Sequence, residues 1–244
     1  VFFPMEDRSK NNTSQRLPPI ILDRKRSCWG RFCEIIGMVS HLVAISFTGF
    51  VIYLAWPLTN LFSWHPILMS IAFAFLMSES IMFFSSESTL IPKINRKSKV
   101  SYHWITMTTA IACALIGFAI IFINKVLHDK PHFKSWHGTM GLIVIIYVCL
   151  QAIGGAFQLF PKFTNKYVKL ADLKLYHATS GLCLFVLVMT TLVLALYSNW
   201  TQKNTGETGW YFLLGCLMWL TTVITNQVTT EYIPRAFKKP SSQY

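Results

Sequence analysis

The chain has 244 residues, of which 53% are hydrophobic and only 13% are charged, and its formal net charge is +12. Soluble domains carry about 25% charged residues, so this composition argues against a soluble globular protein. The basic residues lie in short runs between apolar segments, as in membrane proteins, which argues against nucleic-acid binding as the reason for the charge.

In chain order, residues 1–33 are polar and basic and predict a disordered cytoplasmic tail. Six apolar segments follow, each close to the length of about 20 residues that a membrane-spanning helix needs. They run roughly over residues 35–56, 64–84, 103–123, 137–157, 177–198 and 210–230. We interpret residues 34–233 as one membrane domain and residues 234–244 as a second cytoplasmic tail. The predicted fold is therefore an all-α membrane protein with six transmembrane helices.

The lysine and arginine residues predict the orientation of these helices. Six spans place both termini on one side of the membrane, together with the loops 85–102 and 158–176. That side carries eighteen of the 22 lysine and arginine residues. Because cytoplasmic loops are enriched in basic residues, we expect both termini in the cytoplasm. The sequence leaves open whether the membrane is an endomembrane (endoplasmic reticulum or vesicle) or the plasma membrane.

Four of the seven histidines stand at the starts of the four central segments, and they are His65, His103, His137 and His177. Segments two and four start on the non-cytoplasmic side, whereas segments three and five start on the cytoplasmic side. His65 and His137 therefore share one face, and His103 and His177 share the other. Imidazole is a suitable ligand for iron, and helical bundles build cofactor sites from facing helices. The pattern predicts two b-type haems in a central four-helix bundle; alternatively, each histidine hydrogen-bonds to a neighbour or headgroup at a membrane interface.

Small residues follow two of these histidines. Gly138 and Gly141 follow His137, and Gly181 lies one turn after His177. Such positions would leave room for a macrocycle, or would simply permit close packing of helices.

The other membrane-embedded ionisable residues are few. We expect His41, in the first segment, to hydrogen-bond within the bundle. Glu79 is the one carboxylate clearly inside a segment. A proton-coupled carrier or a divalent-metal transporter is expected to hold several such carboxylates, so their scarcity argues against those classes.

Three stretches of the sequence resemble the cytochrome b561 family. The first surrounds His65 at residues 61–66 (LFSWHP), and the second surrounds His177 at residues 173–182 (LKLYHATSGL). The third, at residues 226–228 (NQV), lies near the end of the last segment. The resemblance covers about residues 35–233.

The resemblance implies a di-haem b-type electron carrier that takes electrons from cytoplasmic ascorbate. The resemblance further implies that such a carrier acts as a transmembrane reductase of monodehydroascorbate radical or a ferric chelate on the other side. It also implies that His65 and His137 bind one haem and that His103 and His177 bind the other. A homodimer is left open, because family members are often dimers.

Candidate substrate contacts follow from charge. Cytoplasmic ascorbate is an anion, and the basic residues at the starts of segments three and five would attract it, namely Lys93, Arg96, Lys97, Lys99 and Lys174. On the other face, His132 and Lys134 would receive an anionic acceptor, although a solvated loop is the plainer interpretation. In two places the sequence differs from the better-known family members. The placement of the lysines before His103 differs, and Gly138-Thr139 follows His137 in place of Ser-Trp.

Two other functions remain as alternatives. One is a histidine-bearing metal transporter, which a visible haem spectrum would exclude. The other is a non-catalytic haem-containing subunit that anchors a partner, which ascorbate-driven reduction of an external acceptor would exclude.

Overall fold

The structure is a computed structural model that describes residues 28–86, 88–160, 164 and 166–237, without the side chains of residues 28–29 and 231–237. Most of the first predicted tail, and the end of the second, lie outside the described residues.

Six long helices make up most of the described chain. They are α1 Cys28–Ala55, α2 Leu61–Met82, α3 Arg96–Leu127, α4 Trp136–Phe157, α5 Leu170–Leu196 and α6 Glu207–Phe237. A short helix, Asn199–Asn204, lies between α5 and α6, and the described residues include no strand. All six long helices contain an apolar stretch that is long enough to cross a membrane. The prediction of an all-α fold with six transmembrane helices is therefore confirmed, and the chain is an integral membrane protein.

Three helices begin earlier than the apolar segments predicted. α1 begins at Cys28, α3 at Arg96 and α5 at Leu170, so each starts in polar sequence about two turns before its apolar segment. Polar residues can extend a membrane helix into water, and the Asn95 side chain caps α3 by accepting a hydrogen bond from the Ser98 amide. His103 and His177 consequently lie about two turns inside their helices, and the prediction that each opens its helix is wrong.

The winding of α2 changes along its length. A 3₁₀ turn, Leu61–Ser63, leads into an α-helical turn and then into a π-helical stretch, Ser70–Met77. Regular α-helix resumes at Ser78 and carries the buried residues Glu79 and Ser80. A π-helical stretch rotates the residues that follow it relative to a continuous α-helix, and such stretches are frequent at functional sites.

The helices close into a ring in chain order. α2 packs along α3, and α4 packs along α5, while α6 packs between α5 and α1. The most deeply buried side chains include Phe185 on α5 and Leu217 and Ile224 on α6. Large apolar side chains also point outward, with Leu42 64% exposed and Leu150 60% exposed. An apolar exterior of this kind suits a lipid environment.

A close approach joins α1 to the turn that follows α2. A Cβ atom added at Gly37 would lie 2.8 Å from the Cα of Ser88 and even closer to its hydroxyl. Glycine at this position therefore lets the Ser88 backbone lie directly against α1.

We expect Gly37→Ala to lower the thermal unfolding midpoint of the purified protein in detergent. The added Cβ must displace the Ser88 backbone, and overpacking of this kind costs about 1–3 kcal/mol. Gly49→Ala on the same helix is the matched control, because a Cβ there has no neighbour within 4 Å. Equal midpoints for the two variants would contradict the close approach.

Candidate functional site

The bundle contains two pairs of histidines, one near each end, and within each pair the two rings face each other. The ring centroids of His65 and His137 lie 6.3 Å apart, with an angle of 74° between the ring planes. Those of His103 and His177 lie 6.4 Å apart, with an angle of 83°. The structure thus brings the four central histidines together in the two pairs that the helix directions predict.

Each separation fits one metal ion between two imidazoles. An imidazole nitrogen binds a transition metal at about 2.0 Å and lies roughly 1 Å from its own ring centroid, so two rings on opposite sides of one metal have centroids about 6 Å apart. The donor set also fits, because bis-imidazole ligation is a chemistry that haem iron accepts. Among the described residues, no group of three or more histidine, cysteine, aspartate or glutamate side chains could share a metal ion.

Hydrogen bonds to a neighbouring helix hold three of these rings. The Nδ1–H of His65 donates to the Gly117 carbonyl at 2.9 Å, and that of His137 donates to the Thr191 carbonyl at 3.0 Å. His103 donates to the Ser80 carbonyl at 3.0 Å, and the Ser80 hydroxyl lies 2.9 Å from the same nitrogen. These bonds set the tautomer, because a proton on Nδ1 leaves Nε2 as the ligand atom.

His177 differs from the other three, because its partner is a side-chain amide. The Nε2 atom of Gln151 lies 3.2 Å from Nδ1 of His177 and donates to the His177 carbonyl at 2.7 Å. The Ser180 hydroxyl donates to the other end of the same amide at 2.8 Å. A Cβ added at Gly181 would lie 2.8 Å from this amide. Gly181 therefore makes room for Gln151 rather than for a macrocycle.

The residues that hydrogen-bond to the four histidine rings form a regular pattern along the bundle. α2 and α3 hold each other's histidines, and so do α4 and α5. On each helix the residue that holds a neighbour's ring lies 14 or 15 positions from the helix's own histidine. At a rise of 1.5 Å per residue, this spacing places the two histidine pairs about 21 Å apart along the bundle.

Local capping places His65 and His137 near the ends of their helices. The Asn60 side chain accepts a hydrogen bond from the Ser63 amide at 3.0 Å, which starts α2 just before His65. The Ser135 hydroxyl accepts from the Gly138 amide at 3.1 Å, which starts α4 at Trp136. Short polar side chains at these positions satisfy amides that the first helical turn leaves free.

A cavity opens beside His65 and His137. Its walls are mainly apolar and include Phe62, Phe118 and Phe133. Gly138 and Gly141 also line it, in agreement with the idea that small residues leave room beside His137. An apolar cavity with two facing imidazoles suits a flat, largely apolar cofactor such as haem.

The cationic residues of this face divide into those at the cavity and those away from it. Lys125 and His132 line the cavity, and His132 packs on Phe122 with centroids 4.3 Å apart. His128 instead donates to the Asn124 carbonyl of its own helix at 2.7 Å. Lys134 is exposed and is not among the residues that line this cavity. The structure therefore brings His132, but not Lys134, to the site and adds Lys125.

On the opposite face, the basic candidates lie where α3 and α5 begin. Lys93, Arg96, Lys97 and Lys174 are exposed, and Lys99 is partly exposed. Lys174 lies three positions before His177, and Lys99 lies four positions before His103. Both are therefore about one turn further from the membrane centre than the nearby histidine.

Sequence reasoning missed most of the residues that orient the rings. A backbone carbonyl acceptor, as at Gly117 and Thr191, leaves no mark in the side-chain sequence. Ser80 and Gln151 are polar residues within apolar segments, and this could have singled them out. The expectation that His41 hydrogen-bonds within the bundle is confirmed, because it contacts the Glu79 carboxylate at 2.8 Å.

Comparison with known proteins shows a protein family and several relatives to which this chain is similar. The sequence model described as eukaryotic cytochrome b561 matches residues 64–202. The chain is 41% identical over 206 residues to Transmembrane reductase CYB561D2 of Bos taurus, covering 84% of this chain and 92% of the relative. It is 37% identical over 199 residues to Probable transmembrane reductase CYB561D1 of Mus musculus, covering 82% and 86%. It is 28% identical over 195 residues to Transmembrane ascorbate ferrireductase 1 of Arabidopsis thaliana, covering 78% of each chain.

The tight packing around His177 gives a test of the second histidine pair. A Cβ added at Gly155 would lie 3.0 Å from Cε1 of His177, so Gly155→Val should displace the ring and lower the haem content to about one per chain. Gly154→Val is the matched control, because a Cβ at Gly154 has no neighbour within 4 Å. Visible spectroscopy of the purified variants measures the effect, and an unchanged haem content in Gly155→Val would contradict the assigned position of His177.

Proposed function

Because the chain belongs to the eukaryotic cytochrome b561 family, we propose that it carries electrons across the membrane from cytoplasmic ascorbate to an acceptor on the other side. The acceptor is the monodehydroascorbate radical or a ferric chelate. Relatives of this chain are named as transmembrane reductases, and one is named as an ascorbate ferrireductase.

The observation that carries the proposal is the presence of two facing imidazole pairs at two depths of one bundle. His65 with His137, and His103 with His177, would each hold one haem b, and for His65, His103 and His137 the ligand atom would be Nε2. When bound, a haem of this kind exchanges single electrons between the ferric and ferrous states of its iron.

The protein's own residues define the conditions for this exchange. Each histidine pair would supply two imidazoles to one haem iron, which would disfavour the binding of oxygen there. The bonds from Nδ1 to carbonyls of a neighbouring helix fix the rings, so that little movement accompanies a change in charge. The apolar walls of the cavity, such as Phe62 and Phe118, limit the access of water.

We assign the face that holds the chain termini to the cytoplasm, because most lysine and arginine residues lie there. The starts of α3 and α5 on this face carry Lys93, Arg96, Lys97, Lys99 and Lys174. Their positive field would concentrate the ascorbate anion near His103 and His177.

On the opposite face, Lys125 and His132 line the cavity that contains His65 and His137. A cation at the wall of an apolar cavity attracts an anionic acceptor, and the monodehydroascorbate radical and many ferric chelates are anions. Lys125 also donates to the Pro131 carbonyl at 2.9 Å, which keeps its charge near this wall.

The first test is the visible spectrum of the purified protein, oxidised and then reduced with ascorbate, with haem counted per chain. We expect two low-spin b-type haems, and single variants His65→Ala and His103→Ala should each retain one. His128→Ala is the control and should retain two, because His128 bonds only to its own helix end. A folded, haem-supplied protein without haem would overturn the proposal and favour a metal transporter.

The second test measures transfer across a membrane. In vesicles with ascorbate on the side of the chain termini and a ferric chelate on the other, we expect iron reduction by the unmodified protein and at least a tenfold loss in His137→Ala. This variant should still allow ascorbate to reduce the remaining haem. Haem without ascorbate-driven iron reduction would instead favour a non-catalytic subunit.

The two lysines of the acceptor face should differ in their effects. We expect Lys125→Gln to raise the KM for an anionic ferric chelate by up to about tenfold at low salt, because steering by a single cavity charge is lost. Lys134→Gln should change the KM little, since Lys134 is not among the residues that line the cavity. A larger rise in KM in Lys134→Gln than in Lys125→Gln would indicate that the acceptor binds at the loop and not in the cavity.

A further inference from the structure

A buried histidine–glutamate pair lies outside the two haem-ligand pairs, between α1 and α2. His41 and Glu79 are 6% and 9% exposed. The Nδ1 atom of His41 lies 2.8 Å from each carboxylate oxygen, and its Nε2 atom lies 2.7 Å from the Ser88 carbonyl oxygen. Ionisable residues within a membrane domain are costly and usually functional.

The geometry defines one exchangeable proton. Both ring nitrogens face acceptors, so Nε2–H donates to the Ser88 carbonyl and a second proton lies between Nδ1 and the Glu79 carboxylate. With this second proton the pair is neutral, and without it the pair carries one negative charge. A change in its occupancy therefore moves a full charge within the protein.

The pair is connected to the ligand His103 through adjacent residues of α2. Glu79 points toward α1, whereas the next residue, Ser80, contacts Nδ1 of His103 through both its carbonyl and its hydroxyl. A charge at Glu79 is therefore close to the histidine pair of the cytoplasmic face, in a region where burial weakens screening.

A cleft of about 650 Å³ on α1 has His41, Arg31 and Glu34 among its lining residues, and its other walls are apolar. Arg31 lies ten residues before His41, which corresponds to about 15 Å toward the face that holds the termini. The cleft therefore reaches from the pair to charged residues at the start of α1.

We propose that His41 and Glu79 form a proton-exchange site coupled to the oxidation state of the haem at His103 and His177. The proposal rests on the proposed function, which supplies ascorbate as the reductant. When a haem held at this position is reduced, the pair takes one proton from cytoplasmic water. The proton forms an N–H bond at Nδ1 of His41 or an O–H bond at the Glu79 carboxylate. When the electron leaves, the same bond breaks and the proton returns.

Among the described side chains, few other ionisable groups face the pair. On α1 these are Arg31 and Glu34 in the cleft, and on α3 it is His103 behind Ser80. From the described turn after α2 and the described side chains of α6, the neighbours are Ser88 and Gln227, which hydrogen-bond to each other and carry no charge. Among the groups that the structure describes here, the pair is thus placed to balance an electron at this haem.

The test is a potentiometric titration of the haem-loaded protein from about pH 5 to pH 8, the range in which histidine-linked protons exchange. Use of the His137→Ala background leaves only the haem at His103 and His177. We expect the midpoint potential of this haem to fall as pH rises, because reduction takes up a proton. Glu79→Gln and His41→Gln should abolish that dependence.

Trp219→Phe is the matched control. It removes the hydrogen bond from Trp219 to the Ser40 hydroxyl, another contact between α6 and α1 beside His41, without removing a titratable group. A merely structural role for the pair would give all three variants the same pH dependence of the midpoint potential. The proposal expects that dependence to survive only in Trp219→Phe.

A second measurement is independent of the variants' folding. The redox difference infrared spectrum of the unmodified protein, with and without ¹³C-labelled glutamate, should show a glutamate carboxyl signal. A pH-independent potential in the unmodified protein, or an unchanged slope in Glu79→Gln, would overturn this inference alone. The absence of haem from the folded protein would overturn the proposed function as well.

Discussion

The hydrogen bond from a ligand histidine to the neighbouring helix is the interaction on which most of the site depends. A ring that donates from Nδ1 can present only Nε2 to a metal, so the bond fixes both tautomer and direction. His65, His103 and His137 each donate in this way to a backbone carbonyl of a neighbouring helix, at Gly117, Ser80 and Thr191. A carbonyl held within a helix is a rigid anchor, and it requires the two helices to lie at a fixed register.

The fixed register of neighbouring helices couples the positions of the two histidine pairs. α2 holds the histidine of α3 near one end of the bundle, and α3 holds the histidine of α2 near the other. α4 and α5 repeat the arrangement. A shift of one helix by a single turn, about 5.4 Å, would therefore break a holding bond at both faces at once. The separation between the sites is thus determined by the packing of helix pairs and not by the loops.

The sequence predicted those features that depend on the side-chain pattern along one helix. Apolar length gave the six spans, and the alternation of helix directions placed His65 with His137 and His103 with His177. The sequence did not predict contacts that depend on another helix, such as the hydrogen bond between His65 and the Gly117 carbonyl. Nor does the sequence reveal the π-helical stretch in α2, since residues 71–77 are apolar and fit regular α-helix equally well. The placement of Lys125 at the cavity, with Lys134 away from it, likewise depends on how the 128–135 loop folds back.

The two ends of the bundle differ in the groups closest to their histidine pairs, and on the proposed function this difference would favour one direction of transfer. Near His65 and His137, the cavity wall carries a fixed cation at Lys125, which stabilises an added electron. Near His103 and His177, the buried His41–Glu79 pair is neutral or negative, according to its proton. A negative charge on this buried pair would weaken the hold on an electron at the face of the termini unless a proton accompanies it. On the proposed function, electrons from ascorbate move from the weaker site toward the stronger one, and the proton they leave behind returns to the side from which it came.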